Sequence, residues 1–171
     1  NKNVVGDTTN QQGTFTLIAQ WKPIYHEVNF VYNNDVGTRK TARVQEGSSV
    51  SEPTDITWTG HHFEGWYTDE TYAEEVKYNF SAAVEKNITL YGKWALNQYT
   101  VTFDSNGGSD VASQTVDYGQ TASKPENPAK NNYTFGGWYL GDEEYRFTEP
   151  VTSDITLVAH WNPMSYGYTV N

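Results

Sequence analysis

The side chains in this sequence with the most scope for chemistry are four histidines: His26, His61, His62 and His160. A zinc site needs several ligands that converge on one point. Adjacent residues of a strand point to opposite faces of a sheet, so His61 and His62 do not readily bind one metal ion together. We therefore interpret the histidines as ordinary half-exposed side chains, and the sequence predicts no metal site.

Acidic residues cluster at 69–70, 74–75 and 142–144. Such carboxylates could bind calcium or act as a general acid and base. The sequence contains no DxDxDG calcium loop, and the clusters lie in segments typical of turns, so solvated turns are favoured over calcium. It also contains no GxSxG motif and no glycine-rich phosphate loop. The sequence predicts no catalytic residue and no cofactor.

Composition narrows the classes of partner. The formal net charge is −10, which disfavours nucleic acid and anionic membranes as partners. No apolar run approaches the length of a membrane span, so membrane insertion is not expected. Cysteine is absent, which suits both a cytosolic protein and a surface protein of a Gram-positive bacterium. Aromatic residues make up 15% of the chain, and large rings can fill a small core without disulfides.

The sequence repeats itself. FEGWY at 63–67 returns as FGGWY at 135–139, and NITLYGKW at 87–94 returns as DITLVAHW at 154–161. TFTLIAQW at 14–21 has the form of those closing segments. The period is about 70 residues, and a fixed period of this kind indicates tandem structural modules.

One module reads as a succession of short strands. In the second copy we predict a strand at 99–105, the turn NGG, strands at 113–118 and 133–140, a short strand at 145–147, and a closing strand at 154–161, with a loop at 124–132. Gly60 and Asn132 correspond and both tolerate positive φ, which predicts a tight turn before the FxGWY strand. The glycine before each tryptophan (Gly65 and Gly137) marks a bulge or leaves room for the ring of Trp94 or Trp161.

The shared motifs are V-x-F, a glycine and a proline after the second strand, FxGWY, and ITLxxxW; the turn NGG occurs in the second copy, where the first copy has NNDVGTRK at 33–40. Together they resemble the Listeria–Bacteroides repeat, the B-repeat type of internalin B. The resemblance implies a mainly β (at most α+β) fold of tandem β-grasp modules, similar to ubiquitin and SUMO, on bacterial surface proteins. It implies an extracellular location, at the cell wall or secreted. It carries no catalytic residue over to this chain.

The repeats divide the chain. Residues 1–22 are expected to be the end of a preceding repeat, 23–96 and 97–163 two complete modules, and 164–171 the start of a following repeat or a tail. The predicted structural core consists of the aromatic and glycine residues at repeat-determined places: Phe30, Phe63, Gly65, Trp66, Trp94, Phe103, Phe135, Gly137, Trp138 and Trp161.

Trp58 is the tryptophan without a counterpart, because Lys130 stands at its place in the second copy. A tryptophan in place of a loop lysine should be partly exposed. It could be a lid over a local apolar patch or a contact between modules, or it could be a binding hot spot. The first interpretation is favoured. The candidate interaction residues are Trp58, His61 and His62.

The leading hypothesis for function is a non-catalytic stalk or spacer that presents other domains, with neighbouring repeats as its partners. The alternative is an adhesive module that binds a host surface protein or glycan through exposed loops. An intracellular ubiquitin-like interaction domain fits the implied fold but not a tandem array.

The terminal segments are expected to lack their native pairing partners. The closing strand at 14–21 and the YGYTV segment at 166–170 resemble parts of repeats that are otherwise absent. Unpaired strands present backbone groups that attract other strands. We expect them to dock within the chain or to pair with the complementary end of another molecule, which would propagate as a filament.

Overall fold

A computed structural model of the protein describes residues 3–9 and 15–165. The chain divides into two compact units, and the boundaries of these units differ from those of the two sequence repeats. The first unit comprises Asn1–Ile56 and Glu64–Lys93, and the second comprises Thr57–Phe63 and Trp94–Asn171. A short segment of the first repeat therefore belongs to the second unit.

The N-terminal segment is a two-stranded hairpin. Strand β1 (Asn3–Thr9) pairs antiparallel with β2 (Phe15–Gln20). The closing-strand motif, as β2, thus pairs along one edge with β1, the strand that precedes it. The YGYTV segment lies outside the described residues.

The first repeat forms a four-stranded sheet. Its strands are β3 (Tyr25–Val31), β4 (Arg39–Gln45), β5 (His61–Tyr67) and β6 (Ile88–Leu96). They lie in the order β4-β3-β6-β5. The opening strand β3 pairs antiparallel with β4 and parallel with the closing strand β6. A short 3₁₀ helix (Glu74–Val76) lies in the connection between β5 and β6.

The second repeat forms a five-stranded sheet with the same plan. Its strands are β7 (Gln98–Asp104), β8 (Gln114–Asp117), β9 (Tyr133–Leu140), β10 (Glu143–Glu144) and β11 (Ile155–Pro163). They lie in the order β10-β9-β11-β7-β8. The opening strand β7 again runs parallel to the closing strand β11.

Alternation of side chains explains these strands. In β7, Val101 and Phe103 are buried whereas Thr100 and Thr102 are exposed. This period of two is the pattern of a sheet with one face on the core and one face in water. The closing strands are the most apolar because they lie inside the sheet, between the opening strand and the FxGWY strand.

Each repeat has an aromatic core of the same construction. Trp66 meets Phe30 edge to face, and Phe30 stacks on Phe80 with ring centroids 6.4 Å apart. Phe103 stacks on Phe147 at the same 6.4 Å. Large rings in offset or edge-on contact add to the free energy gained by burial, and a cysteine-free module of this size depends on it.

The mainly β, tandem architecture agrees with the prediction from sequence. The β-grasp assignment stays a prediction, and the described part of each crossover connection contains no α-helix. The predicted short strand at 145–147 is wrong. The short strand is β10 at Glu143–Glu144, immediately after a two-residue turn, and Phe147 has a positive φ of 58° that no strand accommodates.

Gly137 of the second FxGWY motif marks a bulge, and the atoms nearest to a Cβ at Gly65 or Gly137 do not belong to a tryptophan. The register of β9 against β11 shifts at this point, since His160 lies opposite Gly137 and Trp161 opposite Phe135. Gly137 has φ +127°. A Cβ there would meet the side chains of Glu144 and Tyr139, both at 3.4 Å. The predicted approach of Trp161 occurs elsewhere, against Gly108.

Candidate interaction site around Trp58

The candidate site lies on a tight turn just before β5, within the second compact unit. The amide of His61 donates to the carbonyl oxygen of Trp58 at 3.1 Å, which closes a four-residue turn. Gly60 occupies this turn with φ +74°, and Asn132 has φ +65° at the corresponding place in the second repeat. The tight turn predicted from these two residues is confirmed.

Trp58 is half-buried and lies in a small aromatic cluster. Its indole stacks on the imidazole of His61, with ring centroids 3.7 Å apart and planes inclined by 13°. It also meets Trp94 edge-on at 5.9 Å, and Trp94 in turn meets Phe63 at 5.0 Å. One side of the Trp58 ring is therefore covered by its own turn.

The two adjacent histidines contact different partners. His61 stacks on Trp58, and its Nδ1 lies 3.0 Å from the carbonyl oxygen of Thr59. His62 is exposed, and its Nδ1 lies 2.9 Å from Oδ1 of Asn97. Trp58 and His61 thus form one surface element, and His62 belongs to a separate contact.

The second repeat shows what the Trp58 position does in general. Lys130 stands there, and its ammonium lies 5.6 Å from the ring of Trp161 and 4.9 Å from that of Tyr133. It also donates to the carbonyl oxygen of Asn106 at 2.8 Å. Both residues cover the closing tryptophan of their repeat, one by ring contact and one by a cation–π contact. The interpretation of Trp58 as a lid stays a prediction.

The predicted core residues lie at different depths. Phe30, Trp66 and Trp138 are 1% exposed and Phe103 is 6% exposed. The remaining ones are half-buried at the edges of the two cores: Phe63, Gly65, Trp94, Phe135, Gly137 and Trp161. The half-buried tryptophans are those covered by Trp58 and Lys130.

The charged side chains near the sheets form local pairs. Lys93 lies 2.8 Å from Glu64 on the neighbouring strand, and this hydrogen bond raises the pKa of the lysine. Asp55 accepts from Tyr32 Oη at 3.2 Å and lies 3.3 Å from Lys40 Nζ. A backbone hydrogen bond and the lysine lower the pKa of Asp55, whereas burial and Asp55 raise the pKa of Tyr32.

The acidic turns hold their own backbone. Asp69 accepts hydrogen bonds from the hydroxyl and the amide of Thr71, the latter at 2.9 Å, and both lower the pKa of Asp69. Within the described residues, no three acidic, histidine or cysteine side chains come together as metal ligands. Nor do those residues contain a helix both long and apolar enough to cross a bilayer.

Sequence reasoning missed two residues that organise this region. Asn97 lies in the short connection between the repeats, and Tyr118 follows β8. The Asn97 amide donates to the Gly60 carbonyl oxygen at 2.8 Å, and its own carbonyl accepts from Tyr118 N at 2.8 Å. The correspondence of Gly60 with Asn132 predicted a turn at this place. It did not predict that Asn97 donates a hydrogen bond to that turn.

Comparison with known proteins identifies the repeat. The family model of the Listeria–Bacteroides repeat domain matches residues 26–93 and 99–160. Each of these two segments contains an FxGWY strand and most of the sheet around it. The prediction from the motifs is confirmed.

Relatives are found among large bacterial proteins. One from Evansella cellulosilytica, named as a Gly-rich membrane protein, is 38% identical over 91% of this chain and 18% of its own length. A second protein of that organism, named as a membrane protein, is 38% identical over 88% of this chain and 23% of its own length. Internalin H of Listeria monocytogenes is 32% identical over 80% of this chain and 26% of its own length.

The chain thus spans between 18% and 26% of the length of these relatives. The similarity concerns the repeats, each with its aromatic core. The chain belongs to the Listeria–Bacteroides repeat family and carries two tandem copies of its repeat.

Proposed function

We propose that the chain is a non-catalytic repeat region of an extracellular bacterial surface protein and acts as a spacer that presents other domains. The observation that carries this proposal is the burial of the residues that the two repeats have in common. Many of the positions they share lie inside, such as Val28 with Val101 and Leu90 with Leu157, all 0% exposed. The duplicated buried residues therefore form a hydrophobic core, which stabilises the fold and does not bind a ligand.

Several positions at which the copies differ lie at or near the surface. Trp58 stands in place of Lys130 and Lys93 in place of His160, and all four side chains are half-buried or exposed. A ligand site used by every repeat would show common polar groups on a common surface. The membrane-protein names of two relatives and the internalin name of the third support the surface location.

A replacement experiment tests the spacer role in the full-length protein. The two repeats are exchanged for two repeats of an unrelated β fold of similar size, and separately they are deleted. A spacer predicts that exposure of the distal domain to an antibody on whole cells survives the exchange and falls on deletion. Loss of exposure on both changes, at equal expression, would contradict the proposal.

An adhesive function is the second candidate. The stack of Trp58 on His61 favours this function, because Lys130 stands in place of Trp58 in the second repeat. The ring of Trp58 is only half-buried and could contact a host glycan or protein surface. Trp58→Lys installs the residue that the second repeat uses at this place, so the lid is kept while the aromatic surface is lost. Binding to a glycan array that disappears in this variant would support adhesion; binding of equal strength by both proteins would exclude Trp58 as the contact.

A further inference from the structure

The joint between the repeats contains a close approach of a backbone to a ring. Gly60 ends the Trp58 turn, and the aromatic ring of Tyr118 lies directly against its Cα. A Cβ built on Gly60 would overlap the ring carbons Cδ1, Cε1 and Cγ of Tyr118. Both residues belong to the second compact unit, although Gly60 is part of the first repeat in sequence.

Two backbone hydrogen bonds hold this approach. Gly60 accepts from Asn97 N at 2.8 Å, and Asn97 accepts from Tyr118 N at 2.8 Å. The side chain of Asn97 reaches His62 at 2.9 Å. Asn97 therefore joins the turn before β5 to the turn after β8.

The same hydrogen bonds recur with other residues. Met164 N donates to the carbonyl oxygen of Asn132 at 2.8 Å, as Asn97 does to Gly60. Glu46 N donates to the carbonyl oxygen of Ile24 at 2.9 Å, as Tyr118 does to Asn97. The two repeats thus share this backbone arrangement and differ in the side chains. The turn carries glycine in the first repeat and asparagine in the second, and the position of Tyr118 carries glutamate in the first repeat.

Asparagine stands at the corresponding turn of the second repeat. Asn132 has φ +65°, close to the φ of +74° at Gly60, so the backbone geometry by itself does not require glycine. What excludes a side chain at position 60 is the Tyr118 ring.

We propose that Gly60 and Tyr118 are a matched pair that specifies which repeat can follow which. A repeat with glycine at this turn can be followed by a repeat that carries tyrosine at the position of Tyr118, whereas a repeat with a larger residue at the turn cannot, because its Cβ would overlap the ring. This inference goes beyond the spacer role, because it concerns the order of repeats in the array and would stand if the array had another task.

A double-mutant cycle in this chain tests the pair with Gly60→Asn, Tyr118→Glu and the double variant. Amide hydrogen exchange at Asn97 and Tyr118 reports on the joint, and exchange at Val101 reports on the core. Gly60→Asn should speed exchange at the joint by about tenfold or more while Val101 stays protected. The double variant should exchange no faster at the joint than Tyr118→Glu alone.

Asn132→Gly is the matched control, since it makes the reverse change at the corresponding place in the second repeat. It should leave exchange at Asn97 and Tyr118 unchanged. If Gly60→Asn unfolds the second unit altogether, restoration of its Val101 protection by Tyr118→Glu supports the pair. Equal damage from Gly60→Asn with either residue at 118, or no damage with tyrosine present, would overturn the proposal.

Discussion

The ring of Phe103 meets the indole of Trp138 edge to face, with centroids 4.9 Å apart and planes inclined by 65°. In the first repeat Phe30 meets Trp66 at 5.0 Å and 70°. The core contact is therefore built twice in one chain with nearly the same geometry. Each copy is an internal control for substitutions in the other.

Trp138→Ala should destabilise the second repeat by about 3–5 kcal/mol, because it removes a ring that is 1% exposed and leaves a cavity. That is a large part of the free energy of unfolding of a small module. Urea denaturation followed by near-ultraviolet circular dichroism measures it. Trp21→Ala is the control, since Trp21 is 76% exposed and its loss should change stability by at most about 0.5 kcal/mol. An unchanged midpoint for Trp138→Ala would show that this ring is not a core element.

Gly137→Ala should cost about 1–3 kcal/mol for a conformational reason, because φ +127° is a region that L-residues rarely adopt. Steric overlap contributes little, since the nearest atoms to a Cβ lie at 3.4 Å. Thermal denaturation of the variant checks the prediction. Gly141→Asn is the comparison: this residue has φ +61°, nothing lies within 4 Å of a Cβ there, and asparagine tolerates that conformation. Equal losses from both changes would contradict the distinction.

Gly108→Ala should be destabilising by about 1–3 kcal/mol for the opposite reason, since its φ is ordinary and the obstacle is steric. A Cβ would overlap Cζ2 of Trp161 and lie 3.1 Å from the carbonyl oxygen of Ala129. The displaced indole would then weaken its hydrogen bond from Nε1 to Ser105 O, which is 2.9 Å long. The shift of the Trp161 indole proton in the NMR spectrum reports this directly. Asp110→Ala, at an exposed loop position, should leave that signal in place.

Acid should selectively weaken the turn that Asp69 holds. The two hydrogen bonds from Thr71 lower the folded-state pKa of Asp69, so their contribution to stability is complete above the ordinary aspartate pKa of about 3.9 and is lost as the pH falls through the lower folded value. Asp69→Asn removes the titrating group. The difference in melting temperature between wild type and this variant should therefore shrink between pH 6 and pH 3.

Glu70→Gln serves as the neighbouring control, because it removes an adjacent exposed carboxylate and leaves Asp69 in place. The acid-dependent loss of stability should therefore persist in this variant. A wild-type advantage over Asp69→Asn that stayed constant down to pH 3 would show that the Thr71 hydrogen bonds do not depend on the carboxylate charge.

Much of the fold could be predicted because the sequence states its plan twice. The agreement of FEGWY with FGGWY aligned the copies, and alternation then placed the strands and the buried Trp66 and Trp138. The short strand was misplaced because YRF has strand-forming residues, whereas the actual strand consists of Glu143 and Glu144, which have low β-propensity and pair only because a two-residue turn brings them beside β9.

The candidate site could be predicted only in part. Substitution of Lys130 by Trp58 drew attention to the right turn, but the stacking partner His61 follows from turn geometry that periodicity does not encode. The Gly60–Tyr118 contact joins residues far apart in sequence, and a pattern read along one strand holds no information on such a meeting. The bulge was foreseen at Gly137, whereas the residues that fill the space beside it were not, since one of them, Glu144, comes from β10.

The parallel pairing of the first and last strands has a mechanical consequence. In the second repeat, β7 and β11 run side by side in the same direction, with Val101 opposite Ile155 and Asp104 opposite Val158. A stretching force applied at the two ends of the repeat pulls these strands past each other lengthwise, so their hydrogen bonds bear the load together. The β1–β2 hairpin is antiparallel, and the same force would peel its bonds apart one after another. Resistance to forced unfolding is set by the unfolding rate and not by the free energy of unfolding. A repeat pulled from both ends can therefore resist a large force even if its free energy of unfolding is small.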